Sequence, residues 1–232
     1  MRALSALLLF GFSTLACGEI PSRIEATYDV LSRGVRMGVV HEVFTYNDFH
    51  YHIVSVTKPV GLLALFQPET IVFTSEGEVT PEGLRPVKFT HHRVRDTSRN
   101  NRADFDWNSY VLTLNDPSGT RELLLPPGTQ DRLSMMYQFV VMPPYGKLEF
   151  KFNMTNGSKL EAYRYQLHPE QTAEVPFGSI RSYHLYTLPQ RSAWKSEIWL
   201  AVDHGFVPCK VVLTEDSGDK LVQVLTALNI VP

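Results

Sequence analysis

With 232 residues, 44% of them hydrophobic and 20% charged, the chain has the material for one sizeable core and is not composed like a disordered or fibrous polypeptide. Its 22 basic residues against 24 acidic ones give a formal charge of −2, which removes any general electrostatic case for nucleic acid or an anionic membrane as partner.

The first segment reads as an export leader. Met1 and Arg2 form a short positive end, residues 3–15 are apolar, and the small residues Ala16 and Gly18 follow. The expected organisation is a signal peptide over residues 1–18 and a single β-rich domain over residues 19–232. Cleavage follows Gly18 or Ala16, or else Thr14-Leu15-Ala16-Cys17 is a lipoprotein site with Cys17 acylated. The apolar run is shorter than the ~20 residues of a membrane-spanning helix, and no later segment comes close, so no transmembrane span is expected. If Cys17 leaves with the leader, Cys209 stands alone and a disulfide framework is excluded. Cys209 sits beside Pro208 in an apolar strand pattern, the setting of a buried, inert thiol.

From residue 24 the chain alternates. Ile24, Ala26, Tyr28 and Val30 share one phase over residues 24–30, and strands over 37–46 and 49–57 follow, with turns at Gly34 and Asn47-Asp48. Residues 60–66, VGLLALF, break the alternation between Pro59 and Pro68; a buried turn of helix, a lid or a membrane-touching loop fits them, and a plug of the core is the first reading. Residues 70–78 and 87–96 form a hairpin across Thr80-Pro81-Glu82-Gly83, and 93–102 make a polar tip. Strands over 103–107, 111–114 and 121–125 follow, the last two joined by Asp116-Pro117-Ser118-Gly119.

Residues 125–144 alone carry a helical period. Thr129 is placed as N-cap, Asp131 suits the positive end of the helix dipole, and Leu133, Met136, Tyr137 and Val140 make one apolar stripe before Pro143 and Pro144. Strands over 147–153 and 159–167 then flank Asn156-Gly157, which has the residues of a type I′ turn. Four more strands run over 179–188, 194–202, 207–214 and 221–228. About a dozen strands and one or two helices predict a mainly β fold, a large curved antiparallel sheet forming a half-barrel or open barrel wrapped around the one short helix of residues 125–144.

The stretch LPPGTQDRLSMMYQF, taken with RADFDW, PEGLRP and the leader, resembles the bacterial exported domain-of-unknown-function family 3108 over nearly the whole mature chain. The resemblance implies a Gram-negative periplasmic or envelope protein whose β-rich fold is similar to the half-barrel of lipoprotein-carrier proteins. It supplies no catalytic residues.

The candidate ligand-binding residues are Arg102, Asp104, Asp106, Trp107, Asp131, Arg132 and Tyr137. Asp104 and Asp106 share a strand face beside Trp107, a grouping that suits a glycan, with carboxylates for hydroxyls and an aromatic for a ring face. Asp131 and Arg132 are placed to meet the Arg102/Asp104 strand in a polar cluster at one mouth of the sheet, with Tyr137 in the core behind them. The same residues also read as solvated strand face and helix cap. His50, His52 and one of His91 and His92 make a conceivable but poorly patterned zinc set, so no metal or other cofactor is assigned. Lys88, Arg93, Arg95, Arg99 and Arg102 gather positive charge in one hairpin, suited to an anionic headgroup or polysaccharide and equally to plain solubility. HExxH, CxxC, GxSxG and phosphate-loop patterns are missing, so no catalytic residue is named. Three functions follow. The first is a non-enzymatic envelope protein binding an apolar or amphipathic ligand such as a lipid. The second is a carbohydrate-active enzyme or glycan-binding module using Asp104, Asp106, Trp107 and Asp131, and the third a structural partner in envelope assembly.

Overall fold

The computed structural model describes residues 19–66, 68–188, 195–215 and 217–232; the expected leader, Cys17 and Trp194 lie outside them. The strands are β1 Arg23–Ser32, β2 Val35–Asn47, β3 His50–Pro59, β4 Ile71–Thr80, β5 Gly83–Arg93, β6 Asn101–Asp106, β7 Val111–Asp116 and β8 Gly119–Leu124, followed by β9 Gln130–Asp131, β10 Glu149–Thr155, β11 Leu160–Val175, β12 Gly178–Thr187, β13 Lys195–Ala201, β14 Val207–Thr214 and β15 Lys220–Val231. Among the described residues two α-helices interrupt them, α1 Gly61–Phe66 and α2 Ser134–Val141.

These strands join one 15-stranded sheet in the order β8 to β1, then β15 to β9. Its midline is the antiparallel pair β1–β15, with Arg23 opposite Val231 and Ser32 opposite Leu221, so the two halves of the chain form its two flanks. Neighbours are antiparallel throughout, except that β9 runs parallel to β10. The sheet curls until its flanks touch at one end. There the Arg121 guanidinium donates to Ser158 O at 2.7 Å, and Gly157 lies so close to Asn101 that a Cβ would fall 2.2 Å from its Oδ1. At the other end the flanks part and leave a cleft.

The alternation seen in the sequence sets the inner face. Ile24, Ala26, Tyr28 and Val30 are buried from β1, Val40 and Phe44 from β2, Tyr51 and Ile53 from β3. The helix α2 sits inside the curl, against β5, β9 and β14. Because sheet surrounds it, Met135, Tyr137, Phe139 and Val140 are all buried, and the expected single stripe is replaced by burial nearly all round, with Met136 only half-buried.

Four local expectations are corrected. Thr129 does not cap the helix: its hydroxyl donates to Pro126 O at 2.6 Å, and Asp131 is the cap. Residues 60–66 are no core plug, since Leu62, Leu65 and Phe66 of α1 are 73%, 75% and 81% exposed. The turn after β2 shifts by one residue, so that Asp48 (φ 48°) and Phe49 (φ 64°) are the two positive-φ residues of its type I′ geometry. At Asn156-Gly157 only the glycine has positive φ; Asn156 instead accepts the N–H groups of Ser158 and Lys159 on its Oδ1, an Asx turn.

Candidate functional site

Several polar side chains stand in the inward phase of their strands. Glu42 lies between Val40 and Phe44 in the phase of β2, Ser55 follows Ile53 in β3, and Ser75 occupies β4; all are buried. Glu42 Oε1 accepts the Ser55 hydroxyl at 3.0 Å and Oε2 accepts the Tyr137 hydroxyl at 3.0 Å. Burial raises the Glu42 pKa, opposed by these bonds and more weakly by the charge of Arg132. Phe44 stacks on Tyr137 with centroids 5.4 Å apart, fixing the ring that carries this hydroxyl.

A second buried carboxylate joins the helix to the sheet. Asp131 Oδ2 accepts the Ser75 hydroxyl at 2.5 Å, and Ser75 Oγ in turn lies 3.1 Å from the Tyr51 hydroxyl. Asp131 Oδ1 accepts the N–H groups of Leu133 and Ser134, while Ser134 Oγ accepts the Asp131 N–H, a reciprocal cap in which serine takes the place usually held by a glutamate. Burial lifts the Asp131 pKa to about 6 against the pull of these donors.

The half-buried Arg132 feels the charge of both carboxylates but is bonded to neither. Its guanidinium lies over the Phe73 ring at 4.7 Å, and it has no hydrogen-bond or ion-pair partner among the described residues. Burial lowers its pKa, and the charges of Glu42 and Asp131 hold it up. It reaches a cavity of about 100 Å3 whose walls are mostly apolar: Met135, Met136, Met154, Tyr163, Tyr165, Ile198 and Leu213, with Asn156, Lys159 and Ser196 as the remaining polar lining.

The other expected residues lie elsewhere. Ala103 and Phe105 take the inward phase of β6, so Arg102, Asp104 and Asp106 face outward. Arg102 holds Asp104 through two bonds of 2.6 and 2.5 Å. Asp106 accepts the N–H groups of Asn108 and Ser109, and these donors, Ser109 first, hold its carboxyl below the usual range. Trp107 donates to Pro86 O at 2.6 Å, and its ring is occupied by Arg85 at 5.2 Å and Phe105 at 6.1 Å. The expected meeting of Asp131 and Arg132 with Arg102 and Asp104 does not form, because strand alternation puts the latter pair on the outside while Asp131 reaches inward to Ser75. Asp131, Arg132 and Tyr137 do share one interior. Glu42, Ser55, Ser75 and Tyr51 complete it, and the sign that could have found them is a polar residue in the buried phase of an alternating strand.

His50 and His52 are exposed on the outer face, His91 stacks on Phe73 at 4.5 Å, and His92 meets Asn100, so the four do not converge. Lys88 and Arg99 are in ion pairs with Glu76 and Asp96. Cys209 is fully buried and its thiol pKa is pushed up to about 12 by desolvation, which removes nucleophilic character. No helix among the described residues is long and apolar enough to cross a membrane.

The family model described as "Protein of unknown function (DUF3108)" matches residues 25–226. No curated protein matches the chain. Among solved structures it is similar to a β-barrel-like protein of the domain of unknown function DUF1849 from Brucella abortus, with a TM-score of 0.55 and 11% identity, over 92% of this chain and 99% of that one. At that identity the likeness shows a shared fold.

Proposed function

Because this chain belongs to the DUF3108 family of proteins of unknown function, whose description names no activity, we propose its role from the interior itself: a non-enzymatic binding protein for an amphipathic anion. The observation that carries the reading is Arg132, a guanidinium without a bonded acceptor at the wall of an apolar cavity. The side chain is half-buried, so a ligand carboxylate or phosphate entering the cavity can reach the guanidinium and meet it in a bidentate pair. The apolar part of the ligand would lie among Met135, Met136 and Met154, whose unbranched side chains adapt to irregular shapes. Lys159, on the same lining, is paired with Glu161 at 2.9 Å, so the charge offered to a ligand is that of Arg132.

The leader pattern supports an exported, periplasmic location, lipid-anchored if Cys17 is acylated, and a cavity of about 100 Å3 fits a small acidic amphiphile, such as a short-chain acid or a lipid fragment. The glycan alternative has less support, since Asp104 is held by Arg102, Asp106 is engaged in its turn, and the Trp107 ring is already packed against Arg85 and Phe105. The test is to purify the mature protein from its own envelope, extract it with organic solvent and identify what is released by mass spectrometry. An acidic amphiphile in stoichiometric amount is the expected result; a neutral sugar, or nothing at all, would overturn the reading.

A further inference from the structure

The cleft between the parted flanks has a volume of about 710 Å3 and is separate from the Arg132 cavity. One wall is unusual in being consecutive: Glu149, Phe150, Lys151, Phe152 and Asn153 all line it, as they must if the edge of β10, rather than one face, looks into the cleft. The register identifies which backbone groups are involved. Leu167 N–H donates to Leu148 O at 2.8 Å, so in this antiparallel pair Phe150, Phe152 and Met154 direct their backbone groups to β11. The alternate residues turn the other way, leaving the N–H and C=O of Glu149 and Lys151, and the N–H of Asn153, facing the cleft.

The fold already shows that this edge accepts a strand. β9 pairs with it in parallel, but only at Met154 and Thr155, because Pro126, Pro127 and Gly128 lead the chain away before the pairing can continue. At the head of the open part, Gln130 is 3% exposed, donates its amide to Leu84 O at 2.8 Å and leaves Oε1 without a partner.

We propose that the free edge of β10 is a docking site for an extended segment of a partner protein, added as a strand beside Glu149, Lys151 and Asn153. Backbone pairing would give affinity and the alternating side chains would give selectivity. On the inner side an arriving strand would meet Phe150 and Phe152, which pack edge-on against Phe139. On the outer side Glu149 is paired with Arg164, whereas Lys147 and Lys151 have no ion-pair partner among the described residues. The matching segment therefore alternates apolar and acidic residues.

The experiment uses the whole mature chain and a displayed library of short extended peptides in which apolar positions alternate with randomised ones. Enrichment of acidic residues at the randomised positions is expected. For a synthetic Val/Glu alternating peptide, Lys151→Pro should weaken binding at least tenfold, because it removes one edge donor at a position where an edge strand tolerates proline. Methylating the peptide's backbone amides on one edge should abolish binding, and the amides of Glu149, Lys151 and Asn153 should gain protection from hydrogen exchange when the unmodified peptide is bound. Failure to enrich any peptide, equal binding of the methylated peptide, or self-association of the chain through this edge in place of peptide binding would overturn the proposal. None of these readouts depends on Arg132.

Discussion

Replacing Asp131 by Asn isolates the energetic consequence of burying a carboxylate between the helix and the sheet. Asp131 has a pKa of about 6 in the folded protein against an ordinary value of 3.8, and burial is the cause. A raised carboxyl pKa means that the folded state holds the proton more tightly than the unfolded chain. Its stabilising contribution is therefore complete below pH 3.8 and is lost as pH rises through about 6. At 1.36 kcal/mol per pKa unit the interval corresponds to about 3 kcal/mol, with a slope of roughly 1 kcal/mol per pH unit in mid-window. The Asp131→Asn side chain would keep an oxygen for the Leu133 and Ser134 N–H groups and an amide to meet Ser75, without a titrating charge. Urea denaturation from pH 4 to pH 7.5 should show wild-type stability falling across the window and a flatter curve for Asp131→Asn. Glu42, whose pKa is also raised by burial, contributes in the same direction, so Glu42→Gln serves as background for both proteins. Superimposable pH profiles with and without Asp131→Asn would refute the reasoning.

Two further substitutions probe the backbone and the helix contact. Phe49 holds φ at 64° with its side chain 71% exposed, so Phe49→Gly should relieve left-handed strain and raise stability by about 1 kcal/mol in urea denaturation; no gain would show the turn to be unstrained. Gly83 has φ of 109° and a Cβ there would sit 1.9 Å from Gln138 Nε2, whose own side chain bonds Leu84 N and Glu82 O. Gly83→Ala should cost on the order of 3 kcal/mol, from backbone strain and a displaced hydrogen-bonding side chain, read as a lowered Tm.

What the sequence revealed and what it hid divide along the range of the interactions. The hairpins at Thr80–Gly83 and Asp116–Gly119 were legible because their turn chemistry lies within four residues. The pairing of β1 with β15 brings Arg23 to Val231 across nearly the whole chain, and no local pattern encodes it. The same holds for the curl of the sheet, which turned an expected one-sided helix into one buried on most sides. α1 misled because an apolar run reads as core wherever it falls, whereas its exposure depends on the loop it occupies. Within the site, Asp131, Arg132 and Tyr137 stood out by their place on the helix. Glu42 and Ser75 did not, although each occupies the inward phase of its strand.

The central claim, that Arg132 selects an anionic amphiphile, is tested most directly by titrating the protein with hexanoate, hexanol and hexylamine and following the cavity methionine methyls by NMR. A charge-assisted bond of about 1.5–3 kcal/mol predicts that hexanoate binds at least tenfold more tightly than hexylamine, that Arg132→Lys keeps the preference and that Arg132→Gln removes it. Equal binding of acid and amine, or a preference unchanged in Arg132→Gln, would contradict it.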